Sequence, residues 1–145
     1  MRLRLRHPPT PEFAASHAQI AVDAARAIDH VTLDYTPASL VEVDRILGKF
    51  HAERLTVVDI GETVFSFGCY VGEVLVRNNG GRWVMPRQSV LSRLGLGDSN
   101  MMVVELAGGA VWNPIMKALN LLENGESESV AYFYQVASQP SDGGG

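Results

Sequence analysis

The chain has 145 residues, a formal net charge of −4 and 19% charged residues. This length predicts a single domain with a sizeable hydrophobic core, and the acidic balance argues against nucleic acid as a main partner. The single cysteine excludes a disulfide within the chain. No apolar core typical of a signal peptide follows the basic N-terminus before Pro8, so we expect a cytoplasmic location.

The two ends of the chain have the composition of flexible segments. Arginine occupies positions 2, 4 and 6, and a proline-rich stretch then begins at Pro8. We interpret residues 1–9 as a flexible basic arm, residues 10–138 as one α+β domain and the glycine-rich residues 139–145 as a flexible tail.

Two helices are predicted in the first third of the domain. Over residues 11–31, apolar side chains recur at steps of three and four, which places His17 on the inner face of a helix. A second helix begins near Ser39, which is predicted to form a capping box with Glu42. Asp44 falls on the side of this helix that we expect to be solvated.

The rest of the fold is organised around a long helix predicted over residues 57–78. Thr56 and Asp59 form a capping box at its start, and Gly80 provides a left-handed stop at its end. One side of the helix is apolar, and the other carries polar or charged residues: Asp59, Glu62, Ser66, Glu73 and Arg77. Because the charges interrupt every window long enough to cross a membrane, we expect no membrane partner.

Three glycines lie along one stripe of this helix, at positions 61, 68 and 72. A glycine inside a helix costs roughly 1 kcal/mol relative to alanine, so three of them require a compensating interaction. We predict that the backbone of another element approaches the helix closely along this stripe. The alternative is that Gly68, Cys69 and Gly72 form the floor of a groove for a ligand or partner.

The hydrophobic pattern changes to that of strands after Gly81. Residues 82–85 form a predicted strand that Pro86 ends, followed by a loop over residues 86–100 with a short helical turn at residues 89–94. Residues 101–107 and 110–112 form two further strands, joined by a two-residue turn of glycines. The three strands predict an antiparallel meander.

Two more helices are predicted after the sheet. Asn113 as cap and Pro114 at the first position begin one helix, which ends at the Asn-Gly pair of residues 124–125. Residues 130–138 fit both an alternating strand and a helix, and we interpret them as a helix. The predicted fold class is therefore α+β, with a small three-stranded antiparallel sheet packed with about five helices around the long central helix.

Three segments of the chain resemble an uncharacterised bacterial family that is common in actinobacteria. Residues 68–83 match a Gly-x-Tyr-x-Gly-Glu helix that leads into a Gly-Gly-x-Trp strand, and residues 113–134 match an Asn-Pro helix that ends in Glu-Asn-Gly-Glu. Residues 33–40 extend the match, so it spans residues 30–136. The resemblance implies a bacterial origin and supports the predicted fold, and it transfers no activity and no site residue.

Candidate catalytic chemistry centres on Cys69. Tyr70 and Glu73 lie beside it in the central helix, and a small hydrolase or transferase with a cleft at these three residues is one hypothesis. Nucleophilic cysteine needs a lowered pKa from a nearby histidine or helix N-terminus, and Cys69 lies in the middle of a helix, which favours an inert core residue. The four histidines lie at positions 7, 17, 30 and 51 without zinc-ligand spacing, so we predict no metal and no cofactor.

The main hypothesis is a non-enzymatic protein-interaction or adaptor domain, with a homodimer as one form of the interaction. Aromatic and arginine residues are the usual anchors of protein interfaces. The candidate binding residues around the end of the central helix and the sheet are Tyr70, Glu73, Asn78, Arg82, Trp83 and Trp112. We also predict that Trp83 is largely buried, with an exposed, partner-binding Trp83 as the alternative.

Overall fold

A computed structural model describes residues 4–86 and 101–139. Within these residues there are five α-helices and three strands, with a short 3₁₀ turn before α1 (Pro11–Phe13), before α2 (Pro37–Ser39) and before α5 (Glu126–Glu128). In chain order the elements are α1 (Ala14–Asp29), α2 (Leu40–Ala52), α3 (Val57–Asn79), β1 (Arg82–Val84), β2 (Val103–Glu105), β3 (Val111–Trp112), α4 (Pro114–Asn124) and α5 (Val130–Ala137). The predicted α+β class, the small antiparallel sheet and the long central helix are confirmed.

Helix α3 is the centre of the hydrophobic core. It has the predicted bounds to within one residue, with the Thr56–Asp59 capping box at its start and Gly80 in the left-handed region (φ 72°) after its end. Every residue from 64 to 75 is buried, because neighbouring elements cover the helix on all sides. Ser66 and Glu73, which the spacing places on the polar side of the helix, are therefore inside the protein.

Two of the three glycines of α3, Gly68 and Gly72, allow close approaches of neighbouring elements. A Cβ added at Gly68 would lie 2.6 Å from the Cα of Ile115, so the backbone of α4 passes there as predicted. At Gly72 the neighbours are side chains instead of a backbone, since an added Cβ would overlap the indole of Trp83 and reach within 3.0 Å of Pro114 Cγ. The missing side chains let α4 and β1 pack directly on α3.

The sheet is an antiparallel meander in the order β1-β2-β3. Trp83 is opposite Val104, and Val104 is in turn opposite Trp112. Each of the three strands is shorter than predicted, and β2 and β3 also begin later than predicted. Residues 106–110 lie between β2 and β3. Leu106 N donates to Ala110 O, so the turn that this hydrogen bond closes has three residues and not the predicted two, and Gly109 takes a positive φ of 92° at its last position.

The last helix confirms the choice of helix for residues 130–138, and its start depends on a distant residue. Asp44 of α2 accepts hydrogen bonds from Ser129 Oγ (2.6 Å), Val130 N (2.6 Å) and Ala131 N (3.2 Å). These donors include orphan amides of the first turn of α5. The prediction that Asp44 is solvated was wrong, because this carboxylate caps another helix.

Several expectations concern the ends and the long loop. The helical turn predicted at residues 89–94 and residues 140–145 of the tail lie outside the described residues. The described part of the N-terminal arm contacts the domain, since Leu5 packs on the core, Arg6 N donates to Glu62 Oε2 (2.7 Å), and His17 Nε2 donates to Pro8 O (2.9 Å). No helix of the described residues is long and apolar enough to cross a membrane.

Candidate functional site

Four of the six candidate binding residues lie in one connected polar network: Tyr70 and Glu73, which are buried, Trp83, which is half-buried, and Asn78, which is exposed. Glu73 is only 7% exposed, and its two carboxylate oxygens accept from different partners. Arg77 Nε donates to Oε1 at 3.1 Å, and the half-buried Trp83 donates through Nε1 to Oε2 at 2.9 Å. The buried charge of Glu73 is therefore paired and hydrogen-bonded, which is the arrangement that burial of a carboxylate requires.

Tyr70 connects this network to the loop between α1 and α2. Its buried hydroxyl accepts from Tyr35 N (2.9 Å) and shares a hydrogen bond with Ser39 Oγ (2.6 Å). Burial raises the pKa of Tyr70, and the hydrogen bond between its hydroxyl and Ser39 Oγ opposes this shift. The capping box predicted for Ser39 with Glu42 is wrong, because the Ser39 hydroxyl donates to Thr36 O (2.6 Å) and makes no cap hydrogen bond to α2. Thr36 is instead the N-cap of the preceding 3₁₀ turn.

The loop before α2 is held on the surface of α3 by the same network. Tyr35 has a positive φ of 63°, and its carbonyl accepts from Asn78 Nδ2 at 3.0 Å. The guanidinium of Arg77 lies 3.7 Å from the centroid of the Tyr35 ring. Asn78 also donates to Val74 O, so the polar atoms of this region serve contacts inside the domain.

The other two candidate residues, Arg82 and Trp112, lie outside this network, and each contacts different neighbours. Arg82 is exposed on β1 and pairs with Glu105 Oε1 at 2.9 Å across the sheet. Trp112 packs edge to face on Phe133 of α5, with ring centroids 5.8 Å apart. Its buried indole nitrogen has no hydrogen-bond partner among the described residues.

Cys69 has the environment of a core residue. The side chain is fully buried, and desolvation, together with the nearby charge of Glu73, raises the pKa of the thiol far above its usual range. A thiol in this setting stays protonated at neutral pH, whereas a nucleophilic cysteine reacts as the thiolate. Within residues 4–86 and 101–139, no group of three or more His, Cys, Asp or Glu side chains is placed to hold a metal ion.

A surface feature that the sequence did not indicate is an open groove of about 440 Å³, which we name the helix-end groove. It lies where α2 ends, α3 begins and α4 ends. Its lining residues are His51, Arg54, Leu55, Thr56, Val57, Val58, Leu122 and Glu123. The groove thus combines an apolar floor with charged residues from two different segments.

Hydrogen bonds fix the walls of the helix-end groove. His51 Nδ1 donates to Leu122 O at 2.9 Å, which ties the end of α2 to the end of α4. On the α3 side, the Thr56–Asp59 capping box holds the first turn, and a non-helical Ile60 (φ −136°, ψ 34°) separates this turn from the rest of the helix. The groove is therefore formed before any partner binds.

The first turn of α3 presents an apolar side chain to solvent beside the groove. Val58 is 85% exposed, while its neighbour Val57 is half-buried on the core side. Adjacent residues of a helix point about 100° apart, so Val57 packs toward the core while Val58 faces solvent. Arg54 and Glu123 also line the groove, and neither forms an ion pair with any residue the structure describes.

No protein-family model matches the chain, and no curated protein and no solved structure matches it. The resemblance to an actinobacterial family stays a prediction that rests on the motifs in residues 30–136.

Proposed function

We propose that this chain is a non-enzymatic protein-interaction domain and that its partner binds in the helix-end groove. The observation that supports the proposal is the groove of about 440 Å³ with Val58, 85% exposed, at its edge. A partner that removes an exposed apolar side chain and a neighbouring apolar groove from water makes the free energy of binding more favourable.

The composition of the groove fits a protein surface as its occupant. Interfaces combine an apolar centre with a polar rim that sets orientation. Here Leu55, Val57 and Leu122 supply apolar wall, and Arg54 and Glu123 supply one charge of each sign. Fixed walls reduce the entropy that binding costs, because few groups must be ordered.

The network of Tyr70, Glu73, Asn78 and Trp83 has a supporting role in this proposal. Its polar atoms bind one another and the loop before α2, so they anchor elements and do not offer free groups to a partner. In this proposal the partner therefore contacts the helix-end groove instead of the candidate residues named from the sequence.

Photo-cross-linking in the host cell tests the proposal. A photoreactive amino acid replaces Val58 in one variant of the full chain and Val41 in a control, since Val41 is 62% exposed on α2 and does not line the groove. We expect a covalent protein adduct from position 58 and none at comparable yield from position 41. Equal yields at the two positions, or no adduct at position 58, would contradict the proposal.

A further inference from the structure

We infer that the partner in the helix-end groove is a second copy of this chain, placed by a two-fold axis so that Val58 of each copy enters the groove of the other. This inference rests on the proposed function and names its partner.

A two-fold interface requires one surface that is complementary to itself. The helix-end groove meets this requirement in shape, because a protruding apolar side chain and an apolar recess belong to the same surface. Val58 is the most exposed large apolar side chain of the described residues, and it borders the recess formed by Leu55, Val57 and Leu122. The same rotation that places one Val58 in a recess places the other Val58 in the second recess.

The charges of the groove meet the same requirement. Arg54 follows the end of α2, and Glu123 lies in the last turn of α4, so the two charges come from different walls. They form no ion pair with each other. A two-fold axis through the groove brings Arg54 of each copy toward Glu123 of the other, which makes two equivalent contacts. A second copy supplies both complementary charges by symmetry, whereas an unrelated partner would need a matching pair of its own.

The position of Val58 makes it suitable for a disruptive substitution. It lies in the first turn of α3, where an acidic side chain interacts favourably with the helix dipole, and it is 85% exposed. We therefore expect Val58→Glu to leave the fold intact while it places a charge at the centre of the inferred interface. Val41→Glu adds the same charge at an exposed valine of α2 outside the groove.

Sedimentation of the full chain over a range of concentrations measures the dimer directly. We expect a dimer for the unmodified chain and for Val41→Glu, and a dissociation constant raised about thirtyfold or more by Val58→Glu, as for a central interface residue. Circular dichroism and a thermal melt confirm that each variant is folded.

A charge exchange tests the two-fold geometry. Arg54→Glu and Glu123→Arg each create like-charge contacts and should each weaken the dimer. The double variant restores two opposite-charge pairs across the axis, so its dissociation constant should return to within about threefold of the unmodified chain. If the double variant is as weak as the single variants, the two-fold arrangement is wrong.

The outcomes separate this inference from the proposed function. A chain that stays monomeric at about 0.1 mM, or a dimer that Val58→Glu does not weaken, overturns the inference. If such a chain still forms an adduct with a different protein from position 58, the groove binds a partner but the partner is not a second copy. If position 58 yields no adduct either, the proposed function fails as well.

Discussion

Gly72 of α3 offers the sharpest test of how the core is packed. A Cβ at this position would overlap Cζ2 and Cη2 of Trp83 and would lie 3.0 Å from Pro114 Cγ. The indole must move, and overpacking of this kind costs about 1–3 kcal/mol. Its movement also breaks the 2.9 Å hydrogen bond to the buried Glu73, and a bond to a charged group contributes about 1.5–3 kcal/mol.

The cost is partly offset, because alanine favours a helix over glycine by about 1 kcal/mol. We therefore expect Gly72→Ala to lower the free energy of unfolding by about 1.5–5 kcal/mol. For a chain of this size, that corresponds to a fall in melting temperature of about 5–20 °C. Thermal melts and denaturant titrations followed by circular dichroism measure both quantities.

Gly48 provides the matched control. It also lies inside a helix, α2, but no atom lies within 4 Å of a Cβ added there. Gly48→Ala should therefore raise stability by about 0.5–1 kcal/mol through helix propensity alone. Trp83→Phe should lower the free energy of unfolding less in the Gly72→Ala background than in the unmodified chain, because the smaller ring relieves the overlap with Ala at position 72. If Gly72→Ala melts at or above the temperature of the unmodified chain, as Gly48→Ala should, the packing argument is wrong.

Three further predictions concern buried or half-buried groups. Native Cys69 should react with iodoacetamide far more slowly than a free thiol, and an equal rate would contradict its assignment to the core. Because burial raises the pKa of the thiol in the folded state, the free energy of unfolding should fall as pH rises above about 9, by up to about 1.4 kcal/mol per pH unit. Cys69→Ala should reduce this slope in urea titrations. Asp44→Asn should lower the free energy of unfolding by about 1–3 kcal/mol, because the charged acceptor of the α5 amides is lost. The control, Asp23→Asn on the exposed face of α1, should change it by less than about 0.5 kcal/mol. Similar values for the two variants would refute the capping role of Asp44. Tyr70→Phe leaves Tyr35 N without its acceptor and removes the donor to Ser39 Oγ, so it should cost about 1–3 kcal/mol in a denaturant titration. Tyr132→Phe at an exposed position is the control, and a neutral Tyr70→Phe would show that these hydrogen bonds contribute little.

The parts of the fold that local signals determine could be predicted from the sequence. The capping box of Thr56 with Asp59 and the left-handed Gly80 delimit α3, and each acts within a few residues. Asn113 likewise begins α4, where its side chain accepts from Met116 N. In all these cases the hydrogen-bond partners are neighbours in the sequence, so the pattern contains the whole interaction.

Burial of polar groups could not be predicted in the same way, because it depends on distant partners. The helical spacing of Tyr70 and Glu73 correctly places them near each other, but their buried state depends on the loop before α2 and on β1. Asp44 has the spacing of a solvated residue, and only the approach of α5 gives it another role. The helix-end groove is formed by the ends of three helices, and no local pattern describes such a junction.

The hydrogen bonds of Asp44 also bear on the order in which the chain folds. Helix α5 has eight residues, fewer than the about 12–15 at which an isolated helix becomes even marginally stable in water. Its anchoring acceptor lies 85 positions before Ser129, so α5 can form only beside an α2 that is already in place. During synthesis α5 is therefore expected to fold after α2, and removal of α5 and Ser129 would remove every hydrogen bond that Asp44 makes to this helix and its cap. Hydrogen exchange at Val130 and Ala131 should then report opening of the α2–α5 contact, even though these amides belong to the last helix.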